Sequence, residues 1–278
     1  MTAGQRDAAL AAGALAFEIS NWINERFELP TATLPDLRDY EPEAAAIALR
    51  TALRFGERPI GNMIHLLESL GVRVFSMTED RRVDAFSLWH RGVPFIFLNT
   101  VKTAEHSRMD AAHELAHLLL HRHGGRWGRD IEKDAQAFAA AFLIPRASLL
   151  ALPKLTAPTL SHLVQIKRRW LVSAAGLAHR MHGLGLISDW SYRHLCIQLS
   201  KIGRANEPEG IERETSQVMD KVFGKSAGGV SKADVARDLC LFPADVEALV
   251  FGLRVEPRSD APKGRQVRTP TPRLFRVV

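Results

Sequence analysis

Residues 110–121 read DAAHELAHLLLH, and inside them sits His113-Glu114-Leu115-Ala116-His117. On an α-helix, residues four apart lie on one face about one turn apart. His113 and His117 can therefore aim two imidazoles at one cation, and Glu114, rotated from His113, can reach a water held there. This is the H-E-x-x-H spacing. Neutral imidazole suits Zn²⁺, and catalytic zinc takes three protein ligands plus water. The metal lowers the water's pKa; a nearby carboxylate removes its proton and later hands one to a leaving amine. Five-residue patterns recur by chance, but this one lies on an apolar helix. Titratable groups there are costly unless partnered, and a metal supplies the partner. The pattern predicts one zinc per chain, with His113 and His117 as ligands and Glu114 as catalytic base.

A third ligand is then required. His121 lies about 12 Å along the helix axis from His113 at 1.5 Å per residue, too far to share the same ion. Its spacing also lacks the glycine bend that precedes the third histidine of metzincins. It reads as a helix-end histidine favoured by the dipole, or as a group behind the ligands. The next helical stretch, DIEKDAQAFAAAFLIP (130–145), offers acids. Glu132, Ala135, Phe138 and Ala139 share one face, so Glu132 heads an otherwise apolar stripe. Asp134 sits about 200° around the helix, and Asp130 suits the N-cap. Glu132 is the expected third ligand and Asp134 the alternative.

Outward from this pair of helices the period changes. VRVFSM (72–77), DAFSLWH (84–90) and PFIFLN (94–99) are short, β-branched and aromatic, and Arg91-Gly92 predicts a hairpin between the last two. The expected fold is α+β: a domain with a small, mainly antiparallel sheet and the HELAH helix, followed by an all-α region. Residues 1–35 form an N-terminal helix and connector, 36–155 the catalytic domain, 156–255 the helical domain. Residues 256–278, rich in Pro and Arg, read as a disordered tail. PFIFLN is the candidate strand for pairing with an extended substrate, although core is the more usual fate of such a run. Asn99 at its end, His121 and Tyr192 are candidates for substrate or transition-state contact, with His106, Arg108 and His123 also available to an oxyanion. The Lys167-Arg168-Arg169 run reads as a solvated helix face.

Of the 278 residues, 46% are hydrophobic and 24% charged, an ordinary globular composition. The net charge of +6 is mostly local: from Arg254 onward there are seven Lys/Arg and two Asp/Glu, leaving the remainder near +1. A basic tail of this kind implies at most weak nucleic-acid contact. SKADVARDLCLFPADVEAL (231–249) has helix-turn-helix spacing, but Asp245 and Glu247 stand where DNA binding needs Lys or Arg. Cys196 and Cys240 form neither ligand spacing nor a disulfide framework, which fits a reducing compartment. No signal peptide and no run of ~18 apolar residues is present, so a cytoplasmic setting without membrane attachment is expected.

Together, HELAHLLLH, EKDAQAFAAAFLIP and the upstream GVRVFSM and PFIFLN resemble the ImmA/IrrE family of zinc metallo-endopeptidases. The resemblance extends over about residues 35–255. It implies a zincin-like fold, two histidine ligands at His113 and His117, the acid/base at Glu114, and the ligand glutamate of an E-x-x-A-x-x-F-A segment at Glu132. Asp134-Ala135-Gln136 stands where the family often has acid-Ala-Asn. Members of the family cleave helix-turn-helix repressors of mobile elements or stress responses, so the implied partner is a DNA-binding repressor. About 35 residues precede the shared region, too few for a helix-turn-helix domain, so that partner is expected on a separate chain. A rival reading keeps the fold without the chemistry: a zinc-stabilised regulator or adaptor that binds a repressor or DNA.

Overall fold

The computed structural model describes residues 3–77, 85–121, 128–153, 158–203, 206–224 and 230–250. Among these, twelve helices and three strands make an α+β fold. In chain order they are α1 (Ala3–Asn24), α2 (Pro42–Ala52), α3 (Met63–Ser69), β1 (Arg73–Met77), β2 (Ala85–His90) and β3 (Val93–Asn99). There follow α4 (Ala104–Leu120), α5 (Arg129–Leu143), α6 (Arg146–Leu150), α7 (Leu160–Trp170), α8 (Ala174–Gly183), α9 (Asp189–Ile202), α10 (Gln217–Phe223), α11 (Lys232–Asp238) and α12 (Pro243–Val250). They divide into two compact units interleaved in sequence. One takes Met1–Leu34, Asn62–Val101 and Arg213–Val278; the other takes Pro35–Gly61 and Lys102–Glu212.

The first unit holds the sheet, in the order β1-β3-β2. Arg91 (φ 49°) and Gly92 (φ 80°) are both left-handed. That pair makes the two-residue turn whose twist matches a hairpin, and it fixes His90 opposite Val93. β3 pairs antiparallel with β2 and parallel with β1, so one of the two pairings departs from the antiparallel expectation. β3 is also the central strand, hydrogen-bonded on both sides. It has no free edge for a substrate strand, so PFIFLN takes the core role of its two readings. Its run Pro94 to Asn99 is buried throughout, as suits a strand covered on both faces. Phe97 stacks on Phe86 at 4.3 Å, and Phe17 of α1 stacks on His90 at 3.8 Å.

Local chemistry sets the helix ends of this unit. Asn62 Oδ1 accepts from the His65 N–H at the start of α3. Gly71 follows its end with φ 82°, and a Cβ there would lie 2.3 Å from the Thr31 carbonyl oxygen, so only glycine fits. Glu68 accepts hydrogen bonds from Ser216 Oγ and from the Gln217 N–H at 3.0 Å, which caps α10. Burial pushes the Glu68 carboxyl up to about 7, against the pull of those donors. In the α11–α12 pair, Cys240 takes the left-handed turn position (φ 54°), and Val246, Leu249 and Val250 are buried.

The second unit is helical and carries the HELAH segment on α4. α5 packs along α4, and α2 packs on α5. Arg50 of α2 is 3% exposed. It donates to the carbonyls of Gly56 (2.8 Å), Arg58 and Phe142, tying the end of α5 to the loop after α2. Lys167 is 1% exposed, which corrects the solvated-face reading of residues 167–169; only Arg168 and Arg169 face solvent. Its Nζ lies 3.2 Å from Glu105 Oε1 and 2.8 Å from Glu207 Oε1. These carboxylates also accept from the backbone N–H groups of Ile211 and Ala174. The sequence does carry the signal: Leu163, Lys167 and Trp170, at positions i, i+4 and i+7, form the buried stripe of α7.

Among the described residues no helix is long and apolar enough to cross a membrane. Cys196 and Cys240 are exposed thiols. The tail expected to be disordered, from residue 256 onward, lies outside the described residues, as do His123 and the Gly124-Gly125 pair between α4 and α5.

Candidate metal centre

Thr103 caps α4, and the helix runs unbroken to Leu120 with Ala111, Ala112, Leu115, Ala116, Leu118 and Leu119 buried. That apolar surround fixes the helix and turns His113 and His117 to its half-buried side, each with 18% of its side chain exposed. α5 begins at Arg129 with Gly128 in the N-cap position, so Asp130 falls inside the first turn and is not the cap. Glu132 is in the same turn, where a carboxylate is favoured by the positive end of the helix dipole.

The three side chains converge. His113 Nε2 lies 3.1 Å from His117 Nε2 and 3.1 Å from Glu132 Oε2; His117 Nε2 lies 3.7 Å from Glu132 Oε1. Ligand atoms placed about 2.0–2.1 Å from a tetrahedral zinc stand about 3.3 Å from one another, so the observed edges bracket the triangle that such an ion needs. Two nitrogens and one carboxylate oxygen are also a usual catalytic zinc donor set. Among the described residues this is the one cluster of three or more His, Cys, Asp or Glu side chains that could hold a metal ion.

Electrostatics keep the imidazoles neutral. Burial lowers the pKa of His113, with Glu132 opposing it. Burial and the neighbouring His113 pull His117 down to about 4. Near neutral pH both rings therefore have a lone pair to offer. Glu114, next to His113 in the chain, is 6% exposed.

The remaining candidates have other surroundings. His121 Nδ1 lies 3.2 Å from Nδ1 of His117, on the side away from the convergent nitrogens. Asp134 is not in the cluster, but its charge acts on His121. Asn99 is buried at the end of β3, and its Oδ1 accepts from the Val101 N–H at 3.0 Å, a turn contact. Tyr192 on α9 stacks on His182 at 4.4 Å. His106 Nε2 lies 3.1 Å from Lys102 Nζ and 3.5 Å from Asp110 Oδ1. Arg108 is buried and donates to the Ile60 carbonyl. Asp110, one helical turn before His113, escaped the sequence reading; burial raises its carboxyl to about 6.

Residues 67–182 match the family model described as the IrrE N-terminal-like domain, peptidase M78. The matched interval runs from α3 to α8 and includes both histidines, Glu114 and Glu132. No curated protein matches the chain.

Proposed function

Because residues 67–182 belong to the ImmA/IrrE family of metallopeptidases, peptidase M78, we propose that the chain is a zinc-dependent endopeptidase acting on a helix-turn-helix repressor or a similar regulatory protein. The observation that carries this reading is the convergence of His113, His117 and Glu132 within reach of one ion. These three residues would hold the metal. When bound, zinc supplies Lewis acidity, which activates water and polarises a peptide carbonyl.

The chain's own side chains do the rest. His113 and His117 enter the reaction neutral, because burial removes the competing proton. Glu114 accepts the proton of the attacking water and returns one to the departing amine nitrogen. The substrate class rests on the family resemblance. A reading as a non-proteolytic adaptor is disfavoured by the presence of Glu114 beside the ligands, a residue that a zinc-stabilised scaffold does not need.

Co-expression with the helix-turn-helix protein, if any, encoded beside it, or with a panel of such repressors, tests the proposal. The wild-type chain binds one zinc and cleaves that repressor into two defined fragments. Glu114→Gln retains the zinc and loses cleavage by about 10²–10⁴-fold. Binding of the repressor without cleavage by the wild type establishes the adaptor instead.

A further inference from the structure

Both ring nitrogens of His117 have a partner. Nε2 faces His113 and Glu132, and Nδ1 lies 3.2 Å from Nδ1 of His121. A neutral imidazole carries a single N–H. If Nε2 is to offer a lone pair to a cation, the proton must sit on Nδ1, and it then points at His121. For His121 to accept it, Nδ1 of that ring must be bare and its proton must sit on Nε2. One contact thus sets the tautomer of both rings.

The helix makes the contact possible. Side chains lean toward the helix N-terminus, so His121, one turn after His117, leans back over it. The ring centroids are 5.2 Å apart and the planes 53° apart, which allows an edge-to-edge N–H···N bond where face-to-face stacking would not. Separately, the His121 backbone N–H donates to the His117 carbonyl at 3.1 Å. That bond closes the helix and does not depend on the side chain. Capping therefore gives no reason for an imidazole at this position.

We propose that His121 is a positioning residue: it accepts the Nδ1–H of His117 and thereby holds that ring in the tautomer and orientation that present Nε2 to the metal. This rests on the reading of His113, His117 and Glu132 as metal ligands. It gives His121 a role that needs no bond to the ion and no contact with substrate.

The test measures zinc affinity of the full chain by chelator competition, without reference to peptidase activity. Partners that orient a ligating histidine contribute about 10–100-fold to metal affinity. His121→Leu is expected to weaken zinc binding by that factor. His121→Asn, whose side-chain oxygen can take the place of Nδ1 as acceptor, is expected to return to within about threefold of wild type. Nitrogen-15 spectra of the zinc-loaded wild type need no variant to fold, and they are expected to show His117 protonated on Nδ1 and His121 protonated only on Nε2. A proton on Nδ1 of His121, or a folded His121→Leu chain that binds zinc like wild type, overturns the inference while leaving the metal centre standing. A folded His121→Asn chain as weak as His121→Leu does the same. A wild-type chain that takes up no zinc overturns the metal reading and this inference together.

Discussion

Glu132 Oε2 lies 3.1 Å from Nε2 of His113, although 19 residues separate them. The contact joins the first turn of α5 to the middle of α4. It places a carboxylate on the two imidazoles, whereas Asp134, two residues further on, is outside that cluster. The charges of both acids act on His121, but only Glu132 joins the two histidines.

Zinc binding should separate those acids. Glu132→Ala is expected to weaken zinc affinity by more than about 100-fold, since a direct ligand contributes more than the groups that orient it. Asp134→Asn is expected to stay within about tenfold of wild type. Chelator competition on both variants checks this; the reverse order would make Asp134 the ligand.

Lys167 should be costly to remove. Lys167→Met leaves the buried Glu105 and the half-buried Glu207 without their cation, and loss of one partner of a buried pair costs about 3–5 kcal/mol. Urea denaturation is expected to show that loss. Adding Glu105→Gln to Lys167→Met should recover part of it, because one uncompensated charge disappears with the second substitution.

Glu68 should impose a pH dependence on stability. Its carboxyl is raised in the folded chain from 4.5 to about 7 by burial. The folded state therefore holds the proton more tightly than the unfolded one. The resulting stabilisation is complete below about pH 4.5 and is lost as pH rises through about 7. The stability of wild type relative to Glu68→Gln is expected to fall by about 3 kcal/mol between pH 4 and 8. Denaturation curves across that range check it; a difference independent of pH would mean that Ser216 and the N–H groups of α10 keep Glu68 ionised.

What the sequence made legible was local. His113, His117 and Glu114 follow from one helical period. Glu132 stood out because an acid headed the apolar stripe of Ala135, Phe138 and Ala139. The Arg91-Gly92 turn made the β2–β3 hairpin readable, since its partners are adjacent in the chain. Long-range pairing was harder to read. β1 meets β3 across the whole of β2, and the unbroken apolar run of β3 was the available sign that it lies between two strands. Lys167 looked solvated because its partners, Glu105 and Glu207, lie 62 and 40 residues away. A charge looks alone in sequence until the fold brings its counterpart.

The interleaving of the two units has a consequence for how the chain is made. A ribosome delivers every residue of the α4–α5 unit by Glu212, while the unit containing the sheet still awaits α10, α11 and α12. β1 must therefore wait, with Phe75 short of the cover that α10 and α12 give it, until almost the last segment emerges. During that interval the nascent chain has to keep an aromatic sheet from pairing with its neighbours. Truncation before Gln217 would remove all three helices and make that temporary state permanent.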